Sequence, residues 1–185
     1  YYKKGGGPLF DMGPYYLTTL VKALGPVHEV IGYSKKTFEK RNVENPEVNY
    51  KEIIVDIDTH YFGLLKFKSG IIVDFQVTFD IWKPYDPKLE IYGDESSLKL
   101  ADPNNYDGEI FIFDKELYQW ELIYSSPDSQ NNFYRGLGVV NMVEAIKNNT
   151  VSEDELSVPF HILEVMCSLD SYNLDSGWKK IIQQF

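Results

Sequence analysis

The chain has 185 residues, 43% apolar and 25% charged, with a formal net charge of -10 and a single cysteine. Its length predicts one domain whose core buries roughly two-thirds of the unfolded surface without disulfide staples, and its acidity argues against nucleic acid, whose binding rests on Lys and Arg neutralising phosphates. Cys167 has no partner to pair with, no Cys/His spacing predicts a metal site, and no signal peptide or membrane-length apolar run is present, so a soluble, cytoplasmic protein with no membrane partner is expected.

In chain order, Leu9, Leu17, Leu20, Val21 and Leu24 recur at helical spacing before a Gly25-Pro26 stop. Residues 27–38 read as one bent strand, 40–51 as a polar loop and 52–58 as a second short strand. The clearest β signal is at 61–68 and 71–81, two strands about Ser69-Gly70. In the second of them Val73, Phe75, Val77, Phe79 and Ile81 alternate with Asp74, Gln76, Thr78 and Asp80, giving one buried and one polar face. Short strands follow at 88–92, 98–100, 109–114 and 120–124. Residues 138–148 and 159–174 carry apolar positions at helical spacing, and 178–182 is a last short strand or a tail. The fold class expected is α+β: a largely antiparallel open sheet with helices packed on one face.

Chemistry concentrates at the start. Gly5-Gly6-Gly7 permits backbone conformations and close approaches denied to other residues, and it feeds the first helix. Asp11 and Tyr15, four apart, share one face near the N-terminal end of that helix. Residues 1–41 hold seven basic side chains (Lys3, Lys4, Lys22, Lys35, Lys36, Lys40, Arg41) against three acidic ones (Asp11, Glu29, Glu39), so the motif end is positive and the remainder strongly negative. Lys3 or Lys4 then faces an anionic substrate or cofactor group, or else is solvated surface.

The run Gly5-Gly6-Gly7-Pro8-Leu9-Phe10-Asp11-Met12-Gly13-Pro14-Tyr15, followed by Leu24-Gly25-Pro26-Val27, resembles the motif that opens the C-terminal domain of the glucose-fructose oxidoreductase, inositol dehydrogenase and rhizopine catabolism (Gfo/Idh/MocA) family. The hairpin about Ser69-Gly70, Leu89-Glu90-Ile91-Tyr92-Gly93 leading to Ser97-Leu98, and Arg135-Gly136 before a helix resemble later segments of that domain. The resemblance implies that residues 1–185 form the substrate-binding and oligomerisation domain of an NAD(P)-dependent oxidoreductase acting on a sugar or cyclitol hydroxyl. NAD or NADP would be bound mainly by an N-terminal Rossmann domain absent from this chain, which opens on Tyr1 and shows no dinucleotide fingerprint. A non-catalytic ligand-sensing or regulatory module on the same fold is the alternative, and a plain dimerisation module a third.

Carried over residue by residue, the resemblance makes Asp11 and Tyr15 the catalytic candidates, with Lys4, Tyr16, Trp82 and Arg135 as substrate contacts and no metal. Tyr15 stands where the family has histidine, and Thr18 where many members have a further aspartate. A free phenol has a pKa near 10, against about 6.5 for imidazole, so Tyr15 relays a proton at neutral pH only beside positive charge. Bland alternatives stand beside each candidate: Asp11 favoured by the helix dipole, Tyr15 and Tyr16 in packing, Trp82 in loop packing, Arg135 as a loop anchor. His161, amid Phe160, Ile162 and Leu163, reads as a hydrogen-bonded core histidine. Relatives associating through the exposed sheet face imply a homodimer that buries part of Asp74, Gln76, Thr78 and Asp80 or their neighbours.

Overall fold

Helix α1 (Pro8–Leu24) begins where the backbone makes it inexpensive to begin. Gly7 is its N-cap at φ 96°, Pro8 opens it with no N–H to lose, and Asp11 lies in its positive first turn. Pro14 sits inside the helix, so the Phe10 carbonyl has no i+4 donor. Just after it, the Thr18 and Thr19 hydroxyls donate to the carbonyls of Pro14 and Tyr15 at 2.6 and 3.1 Å. The apolar stripe expected from the sequence is the buried one: Leu9, Leu17, Leu20 and Val21 are all covered.

In this computed structural model the described residues are 1–43, 47, 51–83, 89–105, 107–126, 136–150, 154–171 and 177–185, with backbone alone at 154 and 155. They divide into two compact units, Tyr1–Ile81 with Ser152–Phe185, and Trp82–Val151. The chain is α+β, with antiparallel strands throughout its described sheets.

The first unit holds α1, five strands before residue 81, a helix and a C-terminal strand. Strands β1 (Val27–Lys35), β4 (His60–Phe67) and β5 (Ile72–Thr78) pair in that spatial order, and β10 (Lys179–Lys180) adds to the outer edge of β1. A second small ladder joins β2 (Lys40–Asn42) to β3 (Glu52–Ile54), so the segment expected to be polar loop from residue 40 begins instead as a strand. Polar, charged side chains are compatible with that two-stranded ribbon because it has little apolar face to bury. The β4–β5 hairpin turns through Ser69-Gly70 as expected, Gly70 taking φ 92°.

Helices α1 and α3 (Asp154–Asp170) lie on one face of the β10-β1-β4-β5 sheet. Ile162, Val165, Met166 and Leu169 of α3 meet α1 and the sheet residues Val27, Val30, Leu65, Phe67 and Phe75 in the core. The helix starts before Pro159, which sits inside it rather than at its head. Close approach of α3 is bought by a register pair of glycines: side chains at Gly32 and Gly63 would meet Leu169 Cδ2 at 3.0 and 3.2 Å.

His161 is fully buried. Its Nε2 accepts from the Val27 N–H at 2.9 Å and its Nδ1 donates to the Gln183 carbonyl at 2.5 Å, so the ring is a satisfied core histidine, as the sequence predicts. Glu164, one turn on, accepts from the Ile182 and Gln183 N–H groups at 2.7 Å each. Together these side chains hold the C-terminal tail to α3.

Among the described residues of this unit, no helix lies on the other face of the sheet. Register places Ile31, Leu64 and Asp74 in one row across it and Tyr33, Phe62 and Gln76 in the next. The polar pattern expected from β5 alone is therefore joined by an apolar centre from β1 and β4: Tyr33 is 43% exposed, Phe62 46% and Ile72 51%. Asp80 departs from expectation. The strand ends at Thr78, and the Asp80 side chain, only 7% exposed, turns inward to polar partners instead of facing outward with Asp74 and Gln76.

The second unit is a four-stranded antiparallel meander, β6 (Glu90–Tyr92), β7 (Ser97–Lys99), β8 (Glu109–Asp114) and β9 (Gln119–Ser125), followed by α2 (Leu137–Asn148). Phe113 meets Tyr118 and Trp120 edge-on at 5.2 and 5.4 Å, and Lys99 Nζ lies 4.1 Å over the Trp120 ring. Helix α2 closes on Asn149 in the left-handed conformation.

Candidate functional site

The glycine run builds two successive structures. Lys3 to Gly6 form a turn in which the Gly6 N–H donates to the Lys3 carbonyl at 2.8 Å, and Gly5 supplies the positive φ of 88° that its third position requires. Lys4 is the corner residue of that turn and its side chain is exposed. The Gly7 N–H then donates to the Tyr1 carbonyl at 2.7 Å, folding the loop back on itself. A Cβ on Gly6 would sit 2.4 Å from that same Tyr1 oxygen, so no side chain fits there.

This geometry answers whether the loop can cradle a dinucleotide. The Gly6 and Gly7 amides are already bonded within the loop, and the next residue, Pro8, has no N–H. A phosphate cradle needs such amides free and convergent. The residues of this loop do not fit a pyrophosphate.

Four of the six sequence candidates lie together on the loop and α1. Lys3 is paired with Asp56 at 2.7 Å, whereas Lys4 makes no ion pair among the described residues. Lys36, Lys40 and Arg41 are likewise paired, with Glu39, Glu52 and Asp80, so four of the seven basic side chains of residues 1–41 are matched, and of the two lysines beside the glycine run Lys4 is the one with no ion pair among the described residues. Asp11 is half-buried, its N–H donating to Gly7 O at 3.0 Å, and its carboxylate has no hydrogen bond or ion pair among the described residues. Tyr15 and Tyr16 are half-buried further along the helix, Tyr15 on the Asp11 face. Trp82 is fully exposed and opens the second unit; Arg135 lies outside the described residues.

Another phenol illustrates what a non-catalytic tyrosine looks like. Tyr61 is buried in β4, and burial first, then its hydroxyl's 2.6 Å hydrogen bond to Asp170, pushes its pKa far above the ordinary range. It stays protonated and serves as a donor between sheet and α3.

Two features beneath the loop are not visible in the sequence. The Asp80 carboxylate accepts hydrogen bonds from Thr37 Oγ1 at 2.5 Å, from Thr59 Oγ1 at 2.6 Å and from the Arg41 guanidinium, tying the β1–β2 connection, β2, the residue ahead of β4 and the segment just after β5 together. Phe79, next to Asp80, packs edge-on against Tyr2 at 5.7 Å and Tyr1 at 6.4 Å. The second feature is the 55–59 connection, against which the glycine loop rests. No spacing rule marks the Asp80 cluster, which is assembled from residues far apart in the chain, and none brings residues 55–59 against the glycine loop.

The comparisons agree with this architecture. An oxidoreductase domain protein from Kribbella flavida is 20% identical, with a TM-score of 0.68 over 97% of this chain and 52% of its own. Levoglucosan dehydrogenase in complex with NADH and L-sorbose is 14% identical, TM-score 0.70, over 97% and 52%. An Agrobacterium radiobacter oxidoreductase in complex with NAD+, L-tartaric acid and magnesium is 13% identical, TM-score 0.62, over 94% and 48%. At these identities the likeness is one of fold, and the chain spans about half the length of each. No curated protein matches it. The profile of the GFO/IDH/MocA C-terminal domain matches residues 1–99, from the glycine loop through β7, and the chain belongs to that family.

Proposed function

We propose that this chain is the substrate-binding and self-associating domain of an NAD(P)-dependent oxidoreductase acting on a sugar or cyclitol hydroxyl. The observation that carries the reading is the Asp11 carboxylate, presented in the first turn of α1 with no partner among the described residues, within a motif of this oxidoreductase family. A carboxylate so placed is suited to accept a hydrogen bond from a substrate hydroxyl and fix its orientation. Tyr15, one turn on, is the proton-relay candidate, and Lys4 and Tyr16, on the same loop and helix, are candidate substrate contacts. Structural neighbours bound to NADH with L-sorbose or levoglucosan support the cofactor and substrate class.

The nicotinamide cofactor belongs, in this reading, to the part of the complete protein beyond this chain. When bound it takes up or delivers the hydride; the residues here orient the hydroxyl and handle its proton. The complete protein should therefore reduce NAD or NADP with at least one member of a sugar and cyclitol panel, followed at the nicotinamide absorbance. The isolated chain, whose glycine loop forms no phosphate cradle, should bind NAD(H) or NADP(H) with a Kd in the millimolar range or weaker, about -4 kcal/mol or less binding energy. Micromolar calorimetric binding to the chain alone would contradict this division of labour.

Tyr15 in the family's histidine position favours the second reading, a ligand-sensing module on the same scaffold. A sugar that binds the complete protein but is never turned over with either nicotinamide would support it.

We assign self-association to the sheet face opposite α1 and α3. Tyr33, Phe62 and Ile72 expose apolar surface there, and Ile31 and Leu64 lie in the row between them. Sedimentation should show a homodimer, and Phe62→Glu, placing a charge near the centre of the contact, should weaken it at least about tenfold. A wild-type chain that remains monomeric at high concentration would remove this assignment.

A further inference from the structure

The polar attachment of the glycine loop from below comes from Asp56, a residue that the motif does not include. Asp56 reaches the segment ahead of the turn in two ways: its carboxylate pairs with Lys3 Nζ at 2.7 Å, and its backbone N–H donates to the Tyr2 carbonyl at 3.0 Å. Its own connection is anchored on both sides. The neighbouring Val55 is fully buried, its N–H donating to the Glu39 carbonyl at 2.9 Å. The Ser34 hydroxyl donates to Asp58, and the Thr59 N–H to the Lys35 carbonyl at 3.0 Å. Ile57 lies under the helix start, 3.1 Å from where a Gly7 Cβ would be.

The other hydrogen bonds of the loop close it on itself: Gly6 to Lys3 and Gly7 to Tyr1. Such bonds shape the loop without attaching it to the sheet. Attachment comes from Asp56 and from the edge-on packing of Tyr1 and Tyr2 against Phe79. Both members of the Lys3–Asp56 pair are about half exposed or more, so the pair adds little to global stability; its effect falls on the local opening of a short segment.

We propose that Asp56 is a positioning residue, which holds Tyr2-Lys3 so that Lys4 and the start of α1, with Asp11, are presented to substrate in one arrangement. The proposal rests on the functional reading above for what is presented, and on the geometry alone for what holds it.

Amide hydrogen exchange of the 185-residue chain, read by NMR, tests the holding. In Asp56→Ala and Asp56→Asn the Gly6 and Gly7 amides should exchange up to roughly fivefold faster, the factor an exposed pair of this kind can supply, while Val21 and Leu65 stay unchanged. The exchanged pair, Lys3→Asp with Asp56→Lys, should return Gly6 and Gly7 toward the wild-type rate. In the complete protein Asp56→Asn should raise KM by a similar factor, with kcat unchanged within about twofold. Unchanged exchange at Gly6 and Gly7 overturns the proposal, and so does uniform acceleration that includes Val21 and Leu65, which marks a purely structural role. Faster local exchange with an unaltered KM overturns the positioning of substrate. A complete protein that turns over no sugar or cyclitol would end the enzyme reading instead, and the exchange data would still decide whether Asp56 holds the loop.

Discussion

Asp11→Asn in the complete protein is expected to lower turnover by about 10²-fold to 10⁴-fold, the range typical of groups that act on a transferring proton or its donor. The fold should tolerate the change. The Asp11 carboxylate has no hydrogen bond or ion pair to lose among the described residues, and its favourable place in the first turn of α1 contributes about 0.3 to 1 kcal/mol. Steady-state kinetics and a urea titration on the same preparation separate the two effects. Tyr15 then decides the proton path. As a relay, Tyr15→Phe should lose turnover as Asp11→Asn does, and Tyr15→His should keep activity with a pH profile moved toward the imidazole range. As a packing residue, Phe should be nearly silent and His should cost stability. An active Asp11→Asn variant would take Asp11 out of the chemistry and favour the ligand-sensing reading.

The largest stability effect is expected at a residue with no place in the chemistry. Asp80→Ala removes the acceptor shared by Thr37, Thr59 and Arg41, leaving the fully buried Thr59 hydroxyl and a guanidinium only 26% exposed without their common partner. Removing one side of a buried ionic network costs about 3 to 5 kcal/mol in well-buried cases. Residual hydration of Arg41 places this one at the lower end, about 3 kcal/mol. Asp80→Asn keeps an oxygen acceptor and should cost about half as much. Chemical denaturation of both variants measures this. A loss under about 1 kcal/mol for alanine would show that the cluster is solvated and does not lock the end of β5.

Periodicity and turn chemistry alone determined much of the framework. The stripe Leu9, Leu17, Leu20, Val21 is local information, since one face of a helix repeats every three to four residues, and it is the buried face of α1. Alternation located β5, Ser69-Gly70 located the hairpin, and the flanks of His161 announced a core residue. The motif Gly5 to Tyr15 identified the family before any coordinates. These features share a cause: each is set by interactions among residues close in the chain, or by a backbone requirement only glycine meets.

Tertiary structure decided the rest, because it depends on which distant residues meet. Alternation in β5 assigned Asp80 to the outer face with Asp74 and Gln76, but the strand ends at Thr78, and three donors from separate elements turn Asp80 inward. The segment after Lys40 lacks an apolar pattern, yet pairing with Glu52–Ile54 makes it a strand. Lys3 and Lys4 are equivalent in the sequence; only the arrival of Asp56 from 53 residues away pairs one and leaves the other. The sheet face opposite α1 and α3 likewise draws its apolar centre from Ile31, Tyr33, Phe62 and Leu64, which register across β1 and β4 brings together. A pattern read along one strand has no access to that register, since hydrogen bonds between strands, not spacing within one, determine which side chains become neighbours.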